Sequence, residues 1–207
     1  MKQLVTLCIF LSVCSPGLAA TSVLQLQKDW ALANYALQRD EQVQAFEQLI
    51  DQASNAVAMK PGSAELLIWK AIIESTYAGK TSGLTSLRLI KSARAGLEEA
   101  MEIDPMALNG SAYTSLGALY YQVPSWPIAF GSSKKARRFL EKAIEINPNG
   151  IDSNYFYGDF LMGEKDYVSA RLALKKAMEA PARPGRELAD SGRRAEIGKL
   201  RRQLDEP

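Results

Sequence analysis

A short pattern of alanine, leucine and proline recurs along the chain and restricts its possible folds. In two copies an alanine is followed by a leucine four residues later, an alanine after seven and a proline after twelve. These copies are Ala93, Leu97, Ala100, Pro105 and Ala136, Leu140, Ala143, Pro148. Alanines at this spacing share one face of a helix and let a neighbouring helix approach closely, while the proline ends the helix. The pattern therefore predicts packed helix pairs repeated along the chain.

Two weaker copies extend the pattern. In one copy the first three residues keep the spacing but the proline comes one position early: Ala170, Leu174, Ala177, Pro181. The other copy keeps the spacing but begins with leucine and has alanine at the second position: Leu49, Ala53, Ala56, Pro61. Each pair leaves an apolar face that only a neighbouring pair can cover, so at least three are needed. We therefore expect an all-α, right-handed, curved solenoid of about four helix pairs, with a C-terminal capping helix.

The predicted helices alternate with turn and cap signals. They span residues 22–38, 41–59, 63–78, 84–103, 107–122, 133–146, 152–163, 167–180 and 186–204. Ser63, Ser133 and Asp152 stand near expected helix starts and are predicted to cap them. No stretch alternates apolar and polar residues as a half-buried strand would.

The first twenty residues have the order of a secretory signal peptide. Lys2 precedes an apolar run that ends at Cys14, and small residues follow up to Ala20. The run is too short to span a bilayer, so we expect cleavage near Ala19 or Ala20 and a periplasmic protein. The alternative is a lipid anchor in the periplasm, because residues 11–14 resemble a lipobox, and membrane contact is expected only with lipid on Cys14.

Three segments follow from this division. Residues 1–20 are the predicted signal peptide, residues 21–182 the helical repeat domain, and residues 183–207 a linker with the capping helix. The basic tail helix is expected to cover the last pair, or alternatively to meet anionic lipid or an acidic partner.

Composition excludes most catalytic chemistry. The chain has no histidine, and its two cysteines, Cys8 and Cys14, lie in the signal segment. Thiol and imidazole triads, zinc sites and haem ligation are therefore excluded, and we expect no enzyme activity, cofactor or metal. Carboxylate pairs such as Glu74 with Asp159, or Asp152 with Asp159, leave a hydrolase as the enzymatic alternative. The net charge of +2 argues against a nucleic-acid partner.

A second motif lies in the first helix of two pairs. It places a large apolar residue, a glycine and an aromatic or leucine at Leu116, Gly117, Tyr120 and at Tyr157, Gly158, Leu161. Together with the alanine–proline pattern, it resembles the tetratricopeptide repeat (TPR) family over about residues 23–182. The resemblance implies a solenoid whose concave face binds a protein partner.

The residues at 111–131, 154–161 and 75–79 are also similar to a narrower group. These are periplasmic TPR proteins associated with tripartite ATP-independent periplasmic (TRAP) transporters. The similarity implies an accessory partner of the transporter's solute-binding subunit. The alternative is a periplasmic carrier of a small hydrophobic or organic-acid ligand.

The candidate binding residues follow from the TPR register and from one insertion. By the register, the concave face is expected to show Glu74, Tyr77, Ser111, Thr114, Tyr121, Asp152, Tyr155 and Asp159, while Tyr113, Tyr120 and Tyr157 take core positions. The insertion is the loop at residues 123–131, which contains Trp126 and Phe130 between prolines. This loop either packs against its own solenoid or anchors a partner.

Overall fold

The computed structural model describes residues 21–205 and shows an all-α chain over that range. Its helices are α1 (Val23–Tyr35), α2 (Arg39–Met59), α3 (Ala64–Ala78), α4 (Gly83–Ile103), α5 (Ala107–Gln122), α6 (Ser133–Ile146), α7 (Ile151–Gly163), α8 (Tyr167–Glu179) and α9 (Glu187–Asp205). Every predicted helix in the described range is present, and its bounds lie within three residues of the prediction, although a left-handed turn interrupts the beginning of α5. The predicted signal peptide lies outside the described residues. None of the described helices is long and apolar enough to cross a bilayer.

The best-matched repeats pack their two helices through a glycine. A methyl group on Gly117 of α5 would lie 2.5 Å from Leu140 Cγ in α6, and one on Gly158 of α7 would lie 2.8 Å from Leu174 Cγ in α8. Both leucines are fully buried. The equivalent glycines thus let the helices of each pair approach closely, whereas the sequence pattern assigned that close approach to the alanines.

The inner helices form a closed ring. The first helices of the pairs, α1, α3, α5 and α7, each contact the next, α7 contacts α9, and α9 contacts α1. The predicted solenoid is confirmed, but its two ends meet. The C-terminal helix α9 also packs on α8, the second helix of the last pair.

Close contacts join α1 to its two neighbours in the ring. On one side, the ring of Tyr35 lies against the backbone of Gly192 in α9, where an added methyl group would come within 2.5 Å of Tyr35 Cγ. On the other side, Trp30 packs edge-on to Trp69 at 5.9 Å. Trp30 Nε1 donates a hydrogen bond to Thr76 Oγ1 of α3 at 3.0 Å. Helix α1 therefore bridges the C-terminal helix and the second pair.

Two predicted caps are wrong by a few residues, whereas Ser63 is confirmed as the N-cap of α3. Ser132, not Ser133, caps α6 by accepting from Lys135 N, because Ser133 is already helical. Asp152 does not cap α7, since the chain enters that helix through Gly150 and the Asp152 carboxylate binds arginines instead.

The predicted start of α5 also needs correction. Leu108, Asn109 and Gly110 have left-handed backbone dihedrals, with φ of 50°, 56° and 71°. Such a turn is unfavourable for residues other than glycine, so the surrounding packing must impose it. It interrupts the right-handed helix that the sequence predicts from residue 107.

Gly192→Ala should weaken the junction between α9 and α1. The added methyl group must displace the Tyr35 ring, an overpacking cost of about 1–3 kcal/mol. Gly198→Ala, in the same helix, is the matched control, because its methyl group meets nothing closer than 3.6 Å. Both variants gain the same helix propensity, so thermal unfolding should place Gly192→Ala about 1–3 kcal/mol below Gly198→Ala. Equal stability would contradict the tight junction.

Candidate functional site

The ring encloses a central cavity of about 630 Å³. Residues from α1, α3, α4, α5 and α7, from the α5–α6 loop and from the C-terminal segment line it. Because consecutive helices are joined by short connections and run antiparallel, α3, α5 and α7 run in the same direction around the cavity. The cavity therefore has two distinct ends, one at the starts of these helices and one at their C-terminal ends.

The lining of the cavity combines apolar and hydroxyl side chains. Apolar surface comes from Trp30, Trp69, Ile72, Leu87, Ile90, Leu119 and Phe156, and hydroxyl groups come from Ser75, Thr76, Ser86, Ser111, Thr114 and Ser115. The left-handed turn at the start of α5 also contributes Leu108 and Asn109. Such a lining can bury an apolar ligand and orient it through a few hydrogen bonds.

One end of the cavity carries a network of charged groups around Asp152. Arg183 Nη1 donates to Asp152 Oδ2 at 2.7 Å, and Arg193 Nε donates to Asp152 Oδ1 at 2.8 Å. Arg183 Nε also donates to the buried Asp190 at 2.7 Å. Arg193 binds Glu196 at 2.5 Å. The network ties α7 to the C-terminal segment.

The two arginines decide the ionisation of Asp152. Burial alone would raise the pKa of this carboxyl group, but the charges of Arg193 and Arg183 outweigh it and hold the pKa well below the usual range. Burial opposes ionisation of Arg193 too, yet Asp152 raises the pKa of the guanidinium. The pair is therefore fully charged at neutral pH, and each partner stabilises the other.

The structure places the eight residues predicted for the concave face in three groups. Ser111, Thr114 and Asp152 line the cavity. Tyr121, Tyr155 and Asp159 lie beside it, where Tyr121 Oη donates to Asp159 Oδ2 at 2.5 Å and joins α5 to α7. Burial and the Asp159 carboxylate raise the pKa of Tyr121 well above its ordinary value, so the phenol remains a hydrogen-bond donor.

Glu74 and Tyr77 lie between helices and do not line the cavity. Glu74 is 4% exposed and binds Lys70 at 2.5 Å and Ser92 of α4 at 2.9 Å. Tyr77 stacks on Phe46 of α2 and donates to Glu47. Their part in binding stays a prediction.

Among the three carboxylates considered for a hydrolase, Asp152 alone lines the cavity. Its carboxylate is already paired with two arginines, Arg183 and Arg193. Within residues 21–205, no cluster of three or more acidic side chains is arranged to hold a metal ion.

The two aromatic residues of the 123–131 loop differ in their environment, one packed against the solenoid and the other exposed to solvent. Phe130 packs edge-on against Tyr120 at 5.4 Å and stacks under Arg94 at 4.6 Å. Trp126 at the tip is 85% exposed. The base is closed by a hydrogen bond from Gly131 N to Pro124 O at 2.9 Å. One aromatic residue therefore packs on the solenoid and the other is available to a partner.

Sequence reasoning missed Trp69 and the arginines of the C-terminal segment as cavity residues. A signal was present in α9, where Ala189, Arg193 and Ile197 recur every four residues and are all buried. A charged residue within the buried face of a helix needs a partner from another element. The sequence could have indicated the need for that partner, but not that Asp152 provides it.

No protein-family model matches the sequence, and no curated protein matches it. Among solved structures, it is similar to a thermophilic TPR protein of Thermus thermophilus. The match covers 86% of this chain and 100% of that one, with a TM-score of 0.55 and 14% sequence identity. This likeness establishes a TPR-like fold.

Asp152→Asn should destabilise the protein in a pH-dependent way. At neutral pH it removes the charge that pairs with Arg183 and Arg193, and we expect a loss of about 1–3 kcal/mol. Because the folded-state pKa of Asp152 is depressed, its contribution is complete above the ordinary aspartate pKa near 4 and disappears as pH falls through the lower folded value. The difference between variant and wild type should therefore shrink below about pH 4.

Glu141→Gln is the control for this experiment, because its pair with Arg137 is exposed and 3.9 Å long. Its effect on unfolding should stay within about 0.5 kcal/mol. A pH-independent loss for Asp152→Asn in chemical denaturation would contradict the charge network.

Proposed function

We propose that this protein binds a small, mainly apolar organic ligand in its central cavity. The observation that carries the proposal is the contact of α9 with α1. In an open solenoid the concave face is a groove suited to an extended partner. Here the closed ring leaves a cavity of about 630 Å³, within the ~300–1,000 Å³ usual for small-molecule sites.

The lining supports this role chemically. Trp30, Ile72, Leu87 and Ile90 can cover the apolar body of a ligand, while Thr114 and its neighbouring hydroxyl groups offer hydrogen bonds. The connections after α3 and α5 lie at the same end of the ring, because those helices run in the same direction. Residues of both connections line the cavity there, and this end is the proposed mouth.

The direct test is native mass spectrometry of the purified protein, together with titration of the neutral fluorescent probe N-phenyl-1-naphthylamine. A retained small molecule, or saturable 1:1 probe binding, supports the cavity as a binding site. A protein that retains nothing and binds no apolar probe contradicts the proposal.

Ala118→Phe should block the cavity. Ala118 lies on α5, is 7% exposed and lines the cavity, so a phenyl ring there takes up ligand space. We expect the affinity for the neutral probe to fall at least ~tenfold, equivalent to about 1.4 kcal/mol. Ala58→Phe is the matched control, since Ala58 is exposed on α2 and away from the cavity. Equal probe affinity in both variants would show that the probe binds outside the central cavity.

A second candidate function, docking of a protein partner, is supported by exposed apolar side chains at the mouth, in the first turn of α4 and in the α5–α6 connection. Leu84 and Trp126 are each 85% exposed, and Ile128 is 65% exposed. Exposed tryptophan is typical of binding hot spots. From the sequence resemblance, we propose the solute-binding subunit of a TRAP-type transporter as the partner. A ligand could then pass between the two proteins at the mouth.

We also propose that the protein acts in the periplasm. The support is the signal-peptide pattern of residues 1–20, which lie outside the described part of the chain. Cell fractionation with mass spectrometry of the mature N-terminus tests it. A new N-terminus at residue 20 or 21 indicates a cleaved soluble protein, whereas a lipidated Cys14 indicates the anchored alternative.

Trp126→Ala should weaken docking without affecting folding. Because the side chain is 85% exposed, its removal should change the free energy of unfolding by less than about 0.5 kcal/mol. We expect a loss of about 2 kcal/mol or more in binding to a purified TRAP solute-binding subunit, measured by calorimetry. Val168→Ala, at an exposed position on α8, is the control. Equal affinity in both variants would exclude Trp126 from the interface.

A further inference from the structure

Arg186 differs from the other arginines at its end of the cavity because, among the described residues, no carboxylate lies within 4.0 Å of its guanidinium, although the charges of Asp152 and Asp190 act on it from further away. Its guanidinium carbon lies 5.0 Å from the ring centre of Trp69, and both residues line the cavity. Arg186 Nε and Trp69 Nε1 are both enclosed without a hydrogen-bond acceptor in the described part of the chain. Two donors at the same wall are thus left unsatisfied.

The arginines at this end of the cavity outnumber the carboxylates by one. The neighbouring arginines are each paired: Arg183 with Asp152 and Asp190, Arg193 with Asp152 and Glu196, and Arg194 with Asp190. Counting Arg186, four arginines face three carboxylates. Burial and the nearby Arg183 lower the pKa of Arg186 to about 10, so the side chain still carries its charge at neutral pH.

An unpaired, partly desolvated cation destabilises a fold unless something compensates for it. Trp69 supplies a cation–π contact, but an aromatic face provides no hydrogen-bond acceptor for N–H groups. A carboxylate would provide both charge and acceptors, in the planar geometry that a guanidinium matches. The free protein therefore retains at this position a group that an anionic ligand would stabilise.

The rest of the cavity indicates what such an anion carries. Trp69 lies on α3 and Gly79 at its C-cap, and ten helical steps separate them by roughly 15 Å along the cavity. Leu87 and Ile90, in the first two turns of α4, line the part nearer the mouth. The charge at one end and the apolar wall beyond it match an amphipathic molecule with an acidic head and an apolar tail.

We propose that the ligand is an organic monocarboxylate whose acid group binds Arg186 and whose apolar chain extends along α3 and α4 towards the mouth. This inference rests on the proposed small-molecule function. One uncompensated cation suits a single negative charge. A phosphate or dicarboxylate would bring a second negative charge close to Asp152, which lines the same end of the cavity.

Three ligands with the same ten-carbon chain separate charge from apolar contact: decanoate, decanol and decyltrimethylammonium. Calorimetric titration of the purified protein at neutral pH measures each affinity. We expect decanoate to bind at least ~tenfold more tightly than decanol, because its carboxylate makes charge-assisted hydrogen bonds with Arg186 that a hydroxyl group cannot match. The cationic analogue should bind most weakly.

Arg186→Gln removes the charge, and Arg138→Gln is its matched control. Arg138 also stacks on an aromatic ring, Phe139 at 5.3 Å, but does not line the central cavity. We expect Arg186→Gln to lower decanoate affinity ~10- to 100-fold and to leave decanol affinity unchanged. The melting temperature of the free variant should be equal to or above that of wild type, since an unpaired charge has been removed. Arg138→Gln should bind decanoate as wild type does.

The possible failures are distinct. If wild type binds decanoate and decanol equally, or Arg186→Gln keeps full decanoate affinity, the carboxylate site is wrong and the cavity function stands. If Arg186→Gln loses affinity for both ligands and melts lower, Arg186 is a structural residue and the proposal is overturned. If wild type binds none of the three and no apolar probe, the cavity function fails as well.

Discussion

The contact between α9 and α1 is the constraint on which the rest of the structure depends. A short stack of helix pairs normally leaves both ends free, and its terminal faces must be covered by polar caps. Here the C-terminal helix covers the last pair and also reaches the first helix, where Gly192 accepts the ring of Tyr35. A single helix thus terminates the repeats and closes them.

Closure makes the chemistry of the tail part of the cavity. The basic residues of the C-terminal segment could have served only to keep a capping helix soluble. In the ring, Arg183 and Arg193 instead bind Asp152 at the start of α7, and Arg186 of the same segment lies over Trp69. The paired groups stabilise the junction, while the unpaired group is a cost that ligand binding would offset. Stability and binding are therefore separate roles of adjacent arginines.

The opposite end of the ring has a different composition. It exposes Leu84 in the first turn of α4, together with Trp126 and Ile128 in the α5–α6 connection, whereas Phe130 packs that connection against Tyr120. A fixed base with an exposed apolar tip can contact a partner without large ordering costs. Trp126 does not line the cavity, whereas Ala118 does. The two proposed functions, protein docking at the mouth and ligand binding within the ring, can therefore be separated by mutation at these two positions.

The sequence by itself determined the helices and their pairing, because these depend on local periodicity and on neighbours close along the chain. It also identified Ser111, Thr114 and Asp152, which the TPR register places on the inner face and which line the cavity. The tertiary structure alone decided the closure of the ring, the partners of Asp152 and the position of Arg186 over Trp69, more than a hundred residues away. Those features depend on the small rotation of each helix pair relative to the preceding one, which accumulates along the solenoid. A local sequence pattern does not specify the accumulated rotation.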